Sequence, residues 1–198
     1  MKKFPDQDML QDICTEKRGI NLDTLEKVIL LAVEIAREGR EGRKIGTMFV
    51  ISDSEETLKR SRTLILDPLW HHPDNVKRVD DHNLRETVKE LAQLDGAFII
   101  NDDGIFVSAC RYINASFEGI DLPLGLGSRH LAGASITKQT NAISVVVSES
   151  SIVRIFDEGK MIAEIIPELW LLRRHSLHLS HPYSTRTSEK MTVITKDE

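Results

Sequence analysis

Ala97-Phe98-Ile99-Ile100, followed by Asn101-Asp102-Asp103-Gly104 and then Ile105 to Tyr112, reads as a strand, a turn and a returning strand. A short apolar run with β-branched and aromatic residues suits a buried strand, and the Asn/Asp/Gly cluster supplies the turn. Helical patterns lie on both sides of this hairpin. His82 to Leu94 carries Leu84, Val88, Leu91 and Leu94 on one face, and Ser128 to Gln139 reads as a helix whose Ala132, Gly133, Ala134 and Ser135 permit close packing. A hairpin set between helices predicts an α/β fold: one mixed parallel and antiparallel central sheet with helices on both faces.

Working outward, Leu22 to Arg37 is an amphipathic helix. Leu22, Leu25, Val28, Ile29, Ala32, Val33 and Ala36 form its apolar stripe, Asn21 or Asp23 can cap it, and Gly39 ends it. Ile45 to Ser52 reads as a buried strand, and Ser54 to Leu58 as the start of a short helix. Pro68, Pro73 and Asn75 mark a loop from Asp67 to Asp81. Asp121 to Gly127 is a second loop. Ala142 to Ser148, Ile152 to Phe156 and Lys160 to Ile166 read as three strands, the last two joined by the Glu158-Gly159 turn. The expected organisation is an N-terminal arm over 1–20, one domain over 21–168 and a peripheral polar tail over 169–198.

The 198 residues suffice for one domain with a sizeable core. A net charge of −5 and a pI of 5.8 lack the basic footprint of a general nucleic-acid binder, while leaving room for a local polyphosphate pocket. Cys14 and Cys110 are the only cysteines, too few for a disulfide framework or a zinc site. Cys14 is expected in a loop, Cys110 as a small buried hydrophobe in a strand, and the compartment as the reducing cytoplasm. No uninterrupted apolar run reaches the roughly 18 residues of a membrane span. Met1-Lys2-Lys3-Phe4-Pro5-Asp6 has no apolar stretch after its basic residues, so it does not read as a signal peptide.

The chemistry concentrates in Gly125-Leu126-Gly127-Ser128-Arg129-His130 and Leu94-Asp95-Gly96-Ala97. Glycines let a backbone approach an anion closely, and the N–H groups of a helix start favour its charge. Arg129 can bond a phosphate bidentately, and Ser128 can either cap the helix or donate to a phosphate oxygen. The plain alternative is an exposed Arg–His pair, whose charge at a helix N-terminus costs roughly a few tenths of a kcal/mol that an anion would relieve. Asp95 is either a turn aspartate or a carboxylate that binds Mg²⁺ or Mn²⁺ and helps deprotonate a hydroxyl. Cradle and carboxylate together read as nucleotide chemistry. There is no Walker loop, and His130 stands where a dinucleotide fingerprint would need its third glycine. His71-His72 and the series His175, His178, His181 lack a complement at ligand spacing and read as solvated histidines.

Taken together, Asp95-Gly96-Ala97, Gly127-Ser128-Arg129-His130 and Val147-Ser148-Glu149 resemble the diadenylate cyclase domain, also called the DisA N-terminal domain. The resemblance runs from about Arg43 to Pro167 and extends to motif order, spacing and flanking strands. Gly-Leu-Gly-Ser-Arg-His and Ser-Glu-Ser look like the archaeal-type branch. The resemblance implies condensation of two ATP into cyclic di-AMP, releasing two pyrophosphates, with Mn²⁺ or Mg²⁺. It places the site between two domains facing each other, where each 3′-hydroxyl attacks the other nucleotide's α-phosphorus. Asp95 and Arg129 would be catalytic, with Asp95 binding the metal. Gly96 and Ala97 would pack against the nucleotide, Gly127, Ser128, Arg129 and His130 would hold phosphates, and Ile113 would lie by the adenine. The implied partners are ATP and a second copy of the chain, without membrane or nucleic acid. Two positions depart from many members: Leu131 replaces a basic residue, and Ser150 replaces a second glutamate that is a candidate metal ligand. They motivate the alternative of a non-catalytic ATP or cyclic di-AMP sensor. The blandest alternative is an interaction domain without a nucleotide site.

Overall fold

The computed structural model describes residues 20–116, 118–167, 182–187 and 192–196. Most of the expected arm, Cys14, and His175, His178 and His181 lie outside the described residues. Helix α1 (Leu22–Glu38) starts where Asn21 accepts hydrogen bonds from the N–H groups of Asp23 (3.1 Å) and Thr24 (3.2 Å). It ends at Gly39, whose N–H bonds back to the Ile35 carbonyl and whose φ of +61° glycine adopts without a Cβ penalty. Strand β1 (Thr47–Ile51), helix α2 (Ser54–Lys59), strand β2 (Ser61–Thr63) and helix α3 (His82–Leu91) follow. Then come β3 (Ala97–Ile100), β4 (Phe106–Ile113), α4 (Ser128–Gln139), β5 (Ile143–Val147), β6 (Val153–Asp157) and β7 (Lys160–Ile166). Last are β8 (Tyr183–Thr187) and β9 (Thr192–Lys196).

The strands form one sheet in the order β2-β4-β3-β1-β5-β6-β7-β9-β8. Among the described strands only β1 and β3 run parallel, in the register Met48↔Ala97 to Ile51↔Ile100; the other neighbours are antiparallel. The mixed sheet with helices on both faces is thus as the sequence predicts. Side chains alternate between the faces. Leu25, Val28 and Ile29 of α1 and Val88 of α3 share one core with Phe49, Phe98, Phe106 and Val145. Ala134 and Ile136 of α4 share the other with Met48, Val50, Val146 and Phe156. Phe49 stacks on Phe98 at 5.2 Å between ring centres, and Phe106 meets both edge-on. Each such fully buried ring contributes about 1.5–3 kcal/mol of hydrophobic stabilisation. Between α1 and α3, the Lys89 ammonium sits 2.9 Å from Glu86, 3.2 Å from Glu38 and 3.4 Å from Glu34.

Two expectations change. The helix beginning at His82 stops at Leu91 rather than Leu94: the Leu94 N–H turns back to the Leu91 carbonyl (2.9 Å), and Leu94 faces solvent. The tight turn delivers Asp95 and Gly96 to the start of β3. The stretch expected as a peripheral tail supplies β8 and β9, and β9 pairs with β7 from Ala163↔Thr195 to Ile166↔Thr192. Val193 and Ile194 are buried there, which a Ser/Thr/Lys-rich composition conceals.

Candidate active site

One edge of the sheet gathers four strand ends. Parallel β1 and β3 begin there, and β4 and β5 end there, as the pairs Thr47↔Val147, Met48↔Ala97 and Ala97↔Arg111 require. Helix α4 also starts at this edge. The residues it brings together line a cavity of about 790 Å³. They include every singled-out position: Asp95, Gly96, Ala97, Ile113, Gly127, Ser128, Arg129 and His130. Such a volume lies within the range of small-molecule sites.

Gly127 is the N-cap of α4, in extended conformation, and no side chain caps the helix. The capping role open to Ser128 is therefore not taken; Ser128 is the first helical residue. An uncapped start presents backbone N–H groups to the cavity edge, the arrangement that suits an anion. Gly125, with φ +95°, turns the chain into this start.

Arg129 and His130 part company. Arg129 reaches across the edge, its Nη2 3.7 Å from Asp95 Oδ1 and its Nη1 3.6 Å from Glu149 Oε1. The Asp95 side chain is 89% exposed, so this pair is worth little in stability and leaves the carboxylate accessible. Arg129 lies against the backbone of Gly46, where any Cβ would overlap its Nη1. His130 turns inward and is buried, with its Nε2 3.1 Å from Arg154 Nη1 and its ring edge-on to Phe156. His130 thus lines the cavity with a largely buried ring whose Nε2 faces Arg154.

Gly96 has its own local reason. Its φ is +108°, and a Cβ would stand 2.7 Å from Arg111 N and 2.8 Å from Cys110 Cα. β4 bulges at that point, with Cys110 itself at φ +54°. Asp67 pins the bulge, accepting from Ser108 Oγ (2.5 Å) and the N–H of Ala109 (3.0 Å). Burial, with help from Asp67 and Asp95, pushes the Cys110 thiol up, so it stays protonated and inert at neutral pH. Arg111 is held by the Ser61 and Thr63 hydroxyls and the Leu58 and Ser61 carbonyls; burial pulls its guanidinium down from the usual range. Met48, Leu64, Tyr112 and Ile113 give the cavity an apolar wall.

Sequence reasoning missed Gly46, Glu149 as a partner of Arg129, and Arg154. Gly46 is visible only as a glycine at a strand start, and Arg154 as a charge inside an apolar strand. Asp95 and Glu149 offer oxygen donors on either side of Arg129. Among the described residues, no three His, Cys, Asp or Glu side chains form a cluster able to hold a metal by themselves. One or two carboxylates that leave the remaining positions to substrate phosphates fit a hard divalent cation. His71 and His72 are exposed, as expected.

A family model described as DisA bacterial checkpoint controller nucleotide-binding (DAC) matches residues 34–161, from within α1 into β7. A diadenylate cyclase from Methanocaldococcus jannaschii is 47% identical over 150 residues, covering 75% of this chain and 47% of that protein. Another, from Haloferax volcanii, is 42% identical over 147 residues, covering 74% and 54%. The chain thus spans about half the length of the curated relatives it matches. A solved structure titled as a hypothetical membrane spanning protein from Bacillus cereus shares the fold, with a TM-score of 0.53 at 16% identity over 70% of this chain and 62% of that one. No helix among the described residues of the present chain is long and apolar enough to cross a membrane.

Proposed function

Since the chain belongs to the DisA bacterial checkpoint controller nucleotide-binding family, we propose that it is a diadenylate cyclase, joining two ATP into cyclic di-AMP with release of two pyrophosphates. The observation that carries the reading is the meeting of Asp95-Gly96-Ala97, Gly127 to His130 and the end of β4 in one cavity at one sheet edge. Relatives named diadenylate cyclase support the same activity.

Each bond forms when a ribose 3′-hydroxyl oxygen attacks the α-phosphorus of the other nucleotide. The bond to the bridging oxygen of pyrophosphate breaks, and the hydroxyl proton leaves through Asp95 or water. Phosphoryl transfer of this kind asks mainly for in-line positioning and charge neutralisation. Arg129 and the N–H groups at the start of α4 meet the phosphate charge, Gly127 lets the phosphates approach, and Ser128 donates a hydroxyl. The wall of Met48, Leu64 and Ile113 receives the base. Asp95 would hold the divalent metal, Mn²⁺ or Mg²⁺, which when bound lowers the hydroxyl pKa and draws charge from the phosphates. ATP binding displaces Arg129 from at least one of its two carboxylates.

The second nucleotide comes from a second copy of the chain facing the first, in a cytoplasmic homo-oligomer. Tyr112, which lines the cavity, and Leu124, beside it in sequence at Gly125, are exposed apolar side chains that suit such a contact. The test is incubation with ATP and Mn²⁺ or Mg²⁺ at several protein concentrations, with products read by mass spectrometry. Cyclic di-AMP should rise faster than linearly with protein. Saturable ATP binding without pyrophosphate release would replace the cyclase with the sensor. One observation favours that second reading: Ser150 is spent on a turn, its N–H donating to Ser148 Oγ at 3.2 Å, where many members carry the second glutamate.

A further inference from the structure

We infer that Arg154, clamped by Glu164, is a positioning residue that fixes His130 as a neutral imidazole whose only ring donor is Nδ1–H. The first turn of α4 sends Arg129 to the cavity and His130 inward. His130 heads the inner stripe His130, Gly133, Ala134, Thr137, which follows helical three–four spacing and is buried throughout. At its base, Arg154 Nη1 lies 3.1 Å from His130 Nε2. A guanidinium has donors only and keeps its charge. Nε2 is therefore the acceptor, and the ring proton resides on Nδ1. A doubly protonated ring would set N–H against N–H and a second cation beside Arg154.

Glu164 keeps the donor in place. Arg154 Nε donates to Glu164 Oε1 at 2.7 Å, and the two residues stand directly opposite each other in the β6–β7 register. Their side chains are 3% and 1% exposed, so neither can swing into solvent. An ion pair in a sheet centre is costly to desolvate, and an apolar pair would fill the same space at least as well. What the ionic pair adds is a fixed donor aimed at one nitrogen of a residue that lines the cavity. The second partner of a functional histidine commonly sets its tautomer in this way.

The consequence for turnover rests on the cavity being the nucleotide site; the tautomer does not. The test uses the full chain labelled with ¹⁵N. Imidazole ¹H–¹⁵N correlations at neutral pH are recorded, with the His130 signals identified by their loss in His130→Gln. The expected pattern is a protonated Nδ1 and a bare Nε2. The exchanged pair Arg154→Glu with Glu164→Arg keeps both charges but turns a carboxylate toward Nε2. It is expected to move the proton to Nε2 and to lower kcat about tenfold to a hundredfold, leaving the KM for ATP within about threefold. Arg154→Lys keeps a cationic donor and should retain the tautomer and most of the turnover. A proton on Nε2, or on both nitrogens, in the wild-type chain overturns the inference; so does wild-type kcat in the exchanged pair. If the exchanged pair does not fold, the wild-type spectrum and Arg154→Lys decide. If the wild-type chain turns over no ATP, the functional reading fails, and the His130 spectrum still decides this one.

Discussion

Gly96 lines the cavity itself, whereas Gly46 backs Arg129, which lines it, and substitution separates the two. Gly46→Ala pushes on the far end of a flexible side chain, Arg129, which can move aside. Its KM for ATP should rise about tenfold, some 1.4 kcal/mol, with the urea midpoint little changed. Gly96→Ala meets backbone at 2.7 and 2.8 Å with φ at +108°, and nothing there can move aside. It should lose about 2 kcal/mol or more in urea unfolding. Asp95→Asn removes only an exposed partner of Arg129, so stability should stay within about 1 kcal/mol. Turnover should fall on the order of a hundredfold or more when the hydroxyl proton loses its acceptor. A folded Asp95→Asn chain with wild-type rates would unseat the whole assignment. At this scale the sequence was partly legible. Gly-Ser-Arg-His announced a helix start suited to anions, but not that Arg129 and His130 point opposite ways. That follows from the stripe through Gly133, Ala134 and Thr137, whose small and polar residues give no apolar period to read. Gly46 gave no signal, because its neighbour Arg129 is distant in sequence.

At the scale of elements, α4 depends on the strands beneath it. Arg154→Met alone removes the Arg154 side of a buried ion pair with Glu164 and should cost about 3–5 kcal/mol. Replacing both, Arg154→Met with Glu164→Leu, should recover much of that loss, the remainder being the roughly 1–3 kcal/mol for taking the Arg154 donor from the buried His130 Nε2. Urea unfolding of the two variants checks this directly. Helices α1 and α3 are held differently. The hydrogen bond from Lys89 keeps the Glu86 carboxyl below the usual range. Burial opposes the Lys89 charge, but its bonds to Glu86 and Glu38 outweigh it and hold the ammonium above its usual value. The depressed carboxyl stabilises fully above the ordinary carboxylate range and loses its effect as pH falls through its folded value. The raised ammonium stabilises fully below the ordinary lysine range and loses its effect as pH rises through its folded value. Stability should therefore be level across neutral pH and weaken at both extremes, the acid limb arising within α3 and the alkaline limb also reaching α1 through Glu38, and Lys89→Met should flatten both limbs in urea midpoints. Helix α1 was legible because its cap, stripe and terminating glycine all agree. β8 and β9 were not, because Tyr-Ser-Thr-Arg-Thr and Thr-Val-Ile-Thr-Lys become strands by pairing with each other and with distant β7.

The whole molecule is organised around β1, whose side chains feed both cores and whose Met48 lines the cavity. Its neighbours are not local: β3 lies about 50 residues along the chain and β5 about 100. The meander β5-β6-β7, by contrast, is closed by short turns. Chain closure over long separations slows folding, so the meander is expected to form early and the seating of β1 late. The late pairings also bring Asp95, Gly46 and Glu149 to one edge. A nucleotide thus has nothing to grip until folding is nearly over. ATP should slow unfolding while leaving the refolding arm of the chevron unmoved, and should act as a lock on the finished chain rather than a template for it.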